Sequence, residues 1–273
     1  MKILIATDME GITGVTTWDQ VTPGHPEYAR FRKLMTQDVN AAIRGVMDAG
    51  ADEVIVADGH WNASNILVEE LDPRARLNTG SPSPFSMMQG IDESVDGVMF
   101  IGYHARNGSP NAILDHTWSS RTVANVWLND ILTGEYGLNA AVAGHFRVPV
   151  IMVSGDQTAC GQVADLLGDV ETAIVKQATG RFAAECLTPQ ASQELICTSA
   201  MRAIERLADG DMPDPCVLDT PVRVTVEFFT SDMVDRATRI PRTERDGTRV
   251  SLTTQEMTSA YNGFRAMVTL ASG

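Results

Sequence analysis

The sequence predicts an α/β protein, a mostly parallel sheet flanked by helices, with a smaller C-terminal α+β unit. Three observations predict it. Short all-apolar runs alternate with helix-period segments over the first two thirds of the chain, the pattern of βαβ units. Three of those runs stop at charged or imidazole-bearing residues: Asp8/Glu10, Asp58/His60 and His104. Beyond Leu187-Thr188-Pro189 the composition shifts, and Val222 to Phe228 alternates as a half-solvated strand does.

Ile3-Leu4-Ile5-Ala6 is the first strand; carboxylates follow too soon for it to be a targeting segment. From Tyr28, Phe31, Leu34, Met35, Val39, Ile43, Val46 and Met47 form one helical stripe, which Gly50 ends. Glu53 to Ala57 reads as a strand, Asn65 to Leu71 as a short helix, and Val98 to Ile101 and Val123 to Leu128 as strands. A small-residue helix follows over Gly134 to Phe146. After it come a strand at Val148 to Val153, a helix at Thr158 to Leu167 and a strand at Thr172 to Val175. The tail reads as a helix at Gln193 to Ala208, a polar linker at Asp209 to Pro215 and the strand from Val222. It closes with a short helix at Asp232 to Ala237, a strand at Arg249 to Leu252 and a helix at Met257 to Leu270. The expected division is an α/β domain over 1–187 and a smaller α+β domain over 188–273, the latter available for oligomer contacts.

Composition narrows the function. The 273 residues are 44% apolar and 21% charged, which excludes a disordered chain. At this length roughly 70–75% of the unfolded surface can be buried without disulfide or metal staples. Lys and Arg number 21 against 35 Asp and Glu, a net charge of −14, which disfavours nucleic acid and anionic membranes as partners. No run reaches 18 apolar residues, so no membrane span is expected. Cys160, Cys186, Cys197 and Cys216 form no CxxC and read as reduced thiols of a cytoplasmic protein.

In open α/β sheets ligands sit beyond the carboxyl ends of the strands, so the three polar strand ends are candidates as a set. Asp8 and Glu10, two apart on an extended segment, can face one point, and two close carboxylates draw in a cation. Alone, Asp8 reads first as the cap of a turn into Gly11-Ile12-Thr13-Gly14, and a lone strand-end histidine as a satisfied polar group. His60 and His104 at equivalent strand ends, beside a carboxylate pair, reverse that reading. Imidazole with carboxylate suits zinc better than magnesium. Glu135 in a helix first turn is ordinary electrostatics by itself, but Gly134 and Gly137 allow close backbone approach there. His116 lies in a Pro/Asn/Ser-rich loop or site wall; His145 reads as structural, His25 as exposed, and Asp156 and Lys176 as groups that could orient substrate. No G-x-S-x-G or H-E-x-x-H occurs, so neither the α/β-hydrolase nor the helix-borne zincin route applies, and Gly11-Ile12-Thr13-Gly14 resembles a dinucleotide loop only loosely, without a full G-x-G-x-x-G.

Together these segments closely resemble the M55 family of metallopeptidases, the D-aminopeptidases. The resemblance is carried by Asp8-Met9-Glu10-Gly11-Ile12-Thr13-Gly14, Asp58-Gly59-His60, Phe85-Ser86-Met87-Met88-Gln89-Gly90, Phe100-Ile101-Gly102-Tyr103-His104-Ala105-Arg106 and Gly134-Glu135-Tyr136-Gly137-Leu138-Asn139-Ala140. It implies a pair of Zn2+ ions, with Asp8 bridging, Glu10 and His60 completing one site, and His104 and Glu135 the other. It also implies His116 as base or nucleophile, short D-amino-acid-containing peptides as substrates, and a homo-oligomer, a decamer. For His116, proton transfer is the preferred reading, since an imidazole pKa near 6.5 suits general-base work. A di-metal amidase on another small amide, a di-metal phosphoesterase and a metal-stabilised scaffold stay open at this point. A phosphoesterase would need a cationic clamp, for which Arg106 and Arg121 are the nearest cations in sequence.

Overall fold

The computed structural model describes residues 1–273. The chain begins with β1 (Lys2–Thr7), α1 (Trp18–Val21), α2 (Tyr28–Asp48), β2 (Glu53–Asp58), β3 (Ala75–Asn78) and β4 (Gly97–Tyr103). It continues through β5 (Val123–Leu128), β6 (Ile131–Thr133), α3 (Glu135–His145), β7 (Val150–Asp156), α4 (Gln157–Leu167), β8 (Glu171–Gly180) and β9 (Ala183–Cys186). The last third holds α5 (Pro189–Asp209), β10 (Val222–Phe228), α6 (Ser231–Ala237), β11 (Thr243–Asp246), β12 (Arg249–Thr254) and α7 (Met257–Ser272).

Two sheets result. The larger has seven strands in the order β3-β2-β1-β4-β7-β8-β9, parallel except for the β8–β9 hairpin. Strand order reverses between β1 and β4: β2 and β3 add to one side, β7 and β8 to the other. That junction is where an open α/β sheet presents its crevice. The register sets Thr7 beside both Asp58 and Ile101, so the polar residues after β1, β2 and β4 emerge on one rim. The smaller sheet is antiparallel, β11-β12-β10-β5-β6, and takes β5 and β6 from the middle of the chain.

Alternation along the buried strands divides the core. Ile3 and Ile5 pack with α2 and α5 on one face; Leu4 and Ala6 pack on the other with α3, α7 and the inner face of the small sheet. Every residue of β4 and β7 is buried, as the all-apolar runs require. No helix is long and apolar enough to cross a membrane.

The expected helix over Asn65 to Leu71 is instead a run of turns. Asp58 captures its start, accepting from the Asn65 and Ile66 backbone N–H groups and from Asn65 Nδ2. A buried carboxylate thus takes the donors that a helix would leave free at its first turn.

Candidate metal centre

Backbone contact between two strand ends builds the floor of the site. The Asp8 N–H donates to Ile101 O at 2.9 Å and the Gly11 N–H to Gly102 O at 2.8 Å. A Cβ on Gly11 would lie 2.1 Å from Tyr103 O, and Gly102, at φ +77°, would bring one within 2.3 Å of Asp8 O. Only glycine permits that approach, which accounts for both residues in their motifs.

Six side chains, from the loops after β1, β2 and β4 and from the start of α3, then meet. His60 Nδ1 lies 3.2 Å from Asp8 Oδ1 and 3.1 Å from Glu10 Oε2. On the other side of Asp8, His104 Nε2 lies 3.3 Å from Oδ2 and 3.0 Å from Glu135 Oε1. His116 stacks on His104 with centroids 4.0 Å apart, and its Nε2 stands 3.7 Å from Glu135 Oε1 and 3.9 Å from Glu10 Oε1. All six are buried.

Each imidazole is aimed by a carbonyl. Val21 O accepts from His60 Nε2, Ala105 O from His104 Nδ1 and Leu114 O from His116 Nδ1, at 2.8, 3.0 and 2.8 Å. The remaining nitrogen of each ring faces the carboxylates, the arrangement that fixes the tautomer of a metal ligand or base. Two overlapping groups of donors, Asp8/Glu10/His104 and His104/His116/Glu135, each have ligand atoms within 4.8 Å of one another. Buried His104 Nε2 and Glu10 Oε2 have no hydrogen-bond partner. Orphaned donors and acceptors amid imidazoles and carboxylates fit a pair of zinc ions.

The electrostatics agree. Burial by itself would lower His60 and His104, but Glu10, Glu135 and Asp8 push both well above the ordinary imidazole value. Burial would raise Asp8, yet the imidazoles of His104 and His60 on either side hold it below the usual carboxylate range. His116 goes the other way: burial and the charge of His104 lower it, against the pull of Glu10 and Glu135. A neutral imidazole above the cluster can accept a proton near neutral pH.

Around these groups the chain supplies struts. Buried Lys176 donates to the carbonyls of Glu10, Ile12 and Val15 at 2.6, 2.9 and 2.8 Å, and burial pulls its ammonium down to about 8. Asp38 accepts from the Thr13 N–H and hydroxyl, and burial pushes its carboxyl up to about 6. Asp156 caps α4 and accepts from the Ile113 N–H, steadying the loop that carries His116. Lys176 and Asp156, read from sequence as groups that could orient substrate, therefore hold backbone. Asn139 of the α3 motif donates to Tyr103 OH and accepts from Tyr261 OH, linking the His104 strand to α7.

A cavity of about 530 Å³ opens onto the cluster, lined also by Trp18, Trp61, Met87, Trp118, Arg121 and Arg265. Its size suits a small ligand. His25 is partly exposed in its turn and His145 is exposed; neither takes part. The contributions of α7, Arg265 and Thr269, carried no sequence signal beyond an amphipathic stripe.

The family model for peptidase M55, D-aminopeptidase, matches residues 1–266. The D-aminopeptidase of Bacillus subtilis (strain 168) is 36% identical over 274 residues, 99% of this chain and 98% of the relative. A solved structure described as the Zn-dependent D-aminopeptidase DppA from Bacillus subtilis, a self-compartmentalizing protease, superposes with TM-score 0.96. It is 35% identical and the match covers 100% of this chain and 98% of that one. With the donor cluster described above, these likenesses establish that the chain belongs to the peptidase M55 family and is a metal-dependent peptidase of the D-aminopeptidase type.

Proposed function

We propose that this protein removes the N-terminal residue from short peptides containing D-amino acids, with two zinc ions held by Asp8, Glu10, His60, His104 and Glu135 and with His116 as general base. One observation carries the reading: His116 Nε2 faces both Glu10 and Glu135 while its Nδ1 is committed to Leu114 O. When bound, the ions supply Lewis-acid polarisation of the scissile carbonyl and a more acidic attacking water.

Asp8 directs one oxygen to each imidazole, as a carboxylate shared by two ions would; Glu10 with His60, and Glu135 with His104, would complete the two halves. Glu135 also accepts from the Trp118 N–H at 2.7 Å, tying the ligand helix to the His116 segment. His116, neutral through burial, takes the proton from the attacking water and returns it to the leaving amine. Trp18, edge-on to His116 at 5.3 Å, shields it from bulk water.

DppA is described as self-compartmentalizing, and we extend a homo-oligomer, a decamer, to this chain. Exposed Phe229 and Leu270 within 188–273 support that segment's part in the contacts. Four unpaired cysteines support a cytoplasmic location. Zinc-loaded protein assayed on short peptides with D- or L-residues at the N-terminus, beside phosphate esters, tests the activity. Release of the N-terminal D-residue is expected, and cleavage of the esters alone would overturn it.

A further inference from the structure

The cavity carries charge of both signs. Asp8, Glu10 and Glu135 line it together with two guanidinium groups, Arg121 and Arg265. One stretch of chain runs from His116 to Arg121 along this cavity. It is fixed near the imidazole by the Trp118 N–H on Glu135, and beyond Arg121 by the Thr122 and Val123 N–H groups, both on Ser119 O. Between those anchors the Arg121 side chain is exposed and pairs with no carboxylate of the chain.

Arg265 approaches from α7. Its Nη1 donates to Pro84 O at 2.7 Å and, at 3.4 Å, to Asn262 Oδ1, and its Nη2 donates to Ser83 O at 2.8 Å. The guanidinium lies over the Tyr261 ring. None of these partners is an anion, so the fork is held in place with its charge uncompensated, and donors remain from its five N–H groups.

A short peptide has an ammonium at one end and a carboxylate at the other. Cleavage of its first bond requires the scissile carbonyl to lie at the cluster of Asp8, Glu10 and Glu135, which leaves the C-terminal carboxylate to be met within about 3.3–3.6 Å of chain per residue. A guanidinium matches a carboxylate in plane and charge. Resting on the reading above, we propose that Arg121, backed by Arg265, binds the C-terminal carboxylate of the substrate, so that the enzyme selects peptides short enough to present both free termini to one cavity.

Zinc-loaded protein should be given D-alanyl-D-alanine and its C-terminal amide, with kcat/KM read for wild type, Arg121→Gln and Arg121→Lys. Calorimetric binding of the same pair supplies a readout independent of turnover. Wild type should prefer the free acid by about tenfold or more, as a charge-assisted pair allows. Arg121→Gln should bring the acid-to-amide ratio toward one, mainly through KM, and Arg121→Lys should restore part of it. Equal handling of acid and amide by wild type, or a ratio unchanged in Arg121→Gln, would overturn the assignment and leave the peptidase reading standing. A wild type that neither cleaves nor binds either peptide would remove both.

Discussion

The segment from Asp8 to Val15 and the segment from Ala105 to Trp118 bring reacting groups to the same point by different means. The first hangs on charge sealed inside the fold: Lys176 holds three of its carbonyls and Asp38 holds Thr13, both without solvent contact. The second is held by Asp156 and Glu135 through single N–H groups and fastened again at its rim. Arg181, on the β8–β9 turn and 42% exposed, pairs with Asp115 at 2.9 Å, donates to Asp115 O and lies over Trp18. Buried ion–carbonyl contacts are costly to break, whereas a half-exposed pair contributes about 1 kcal/mol or less. On the proposed roles, the Asp8 and Glu10 ligands are thus locked with the fold, while the base sits on a segment whose outer fastening can be altered without unfolding the protein.

The largest effect should separate the two segments at the chemistry itself. Asp8→Asn should lose zinc and turnover together, whereas His116→Ala should keep zinc by metal analysis and lose about 10²–10⁴-fold in turnover. Loss of zinc in His116→Ala would make that residue a ligand and erase the distinction. Next, Lys176→Met leaves the buried carbonyls of Glu10 and Val15 without their donor and should cost about 3–5 kcal/mol in urea unfolding. A cost near zero would mean the first segment is not held from beneath. Smaller again, Arg181→Ala should cost about 1 kcal/mol and lower kcat about tenfold at unchanged zinc content, with Arg181→Lys intermediate.

The smallest effect is in pH. Without a cation, His60 and His104 are protonated well above the unfolded value of 6.5, so their pairs with the carboxylates stabilise the fold below that value. This contribution persists at neutral pH and is lost as pH rises through the raised values. Zinc must displace those protons, so its affinity should climb with pH, and loading at pH 7 should release protons, read as buffer-dependent heat. Heat independent of the buffer would contradict this.

Much of the architecture was legible because strand ends in a parallel sheet are marked twice, by an apolar run and by its sudden stop. Asp8, His60 and His104 could be placed on one rim from that alone, and Glu135 by its glycine neighbours. Other features depend on distance rather than pattern. Asn65 to Leu71 has helical spacing, yet the segment runs through turns, its first N–H groups taken by Asp58, seven residues before it. The short strands β3, β6, β9 and β11 are too brief to show a period. Nothing local tells that Lys176 will meet carbonyls 166 positions earlier, or that Arg265 will look into the cavity from a helix that reads as core.

That reach has a consequence for assembly. Since the loop after the first strand is clasped by a lysine from β8, a nascent chain that has not yet made β8 carries Asp8 and Glu10 on an unclasped tether. The folded placement of those two carboxylates is therefore expected only once β8 is made, when every strand of the larger sheet but β9 has been synthesised.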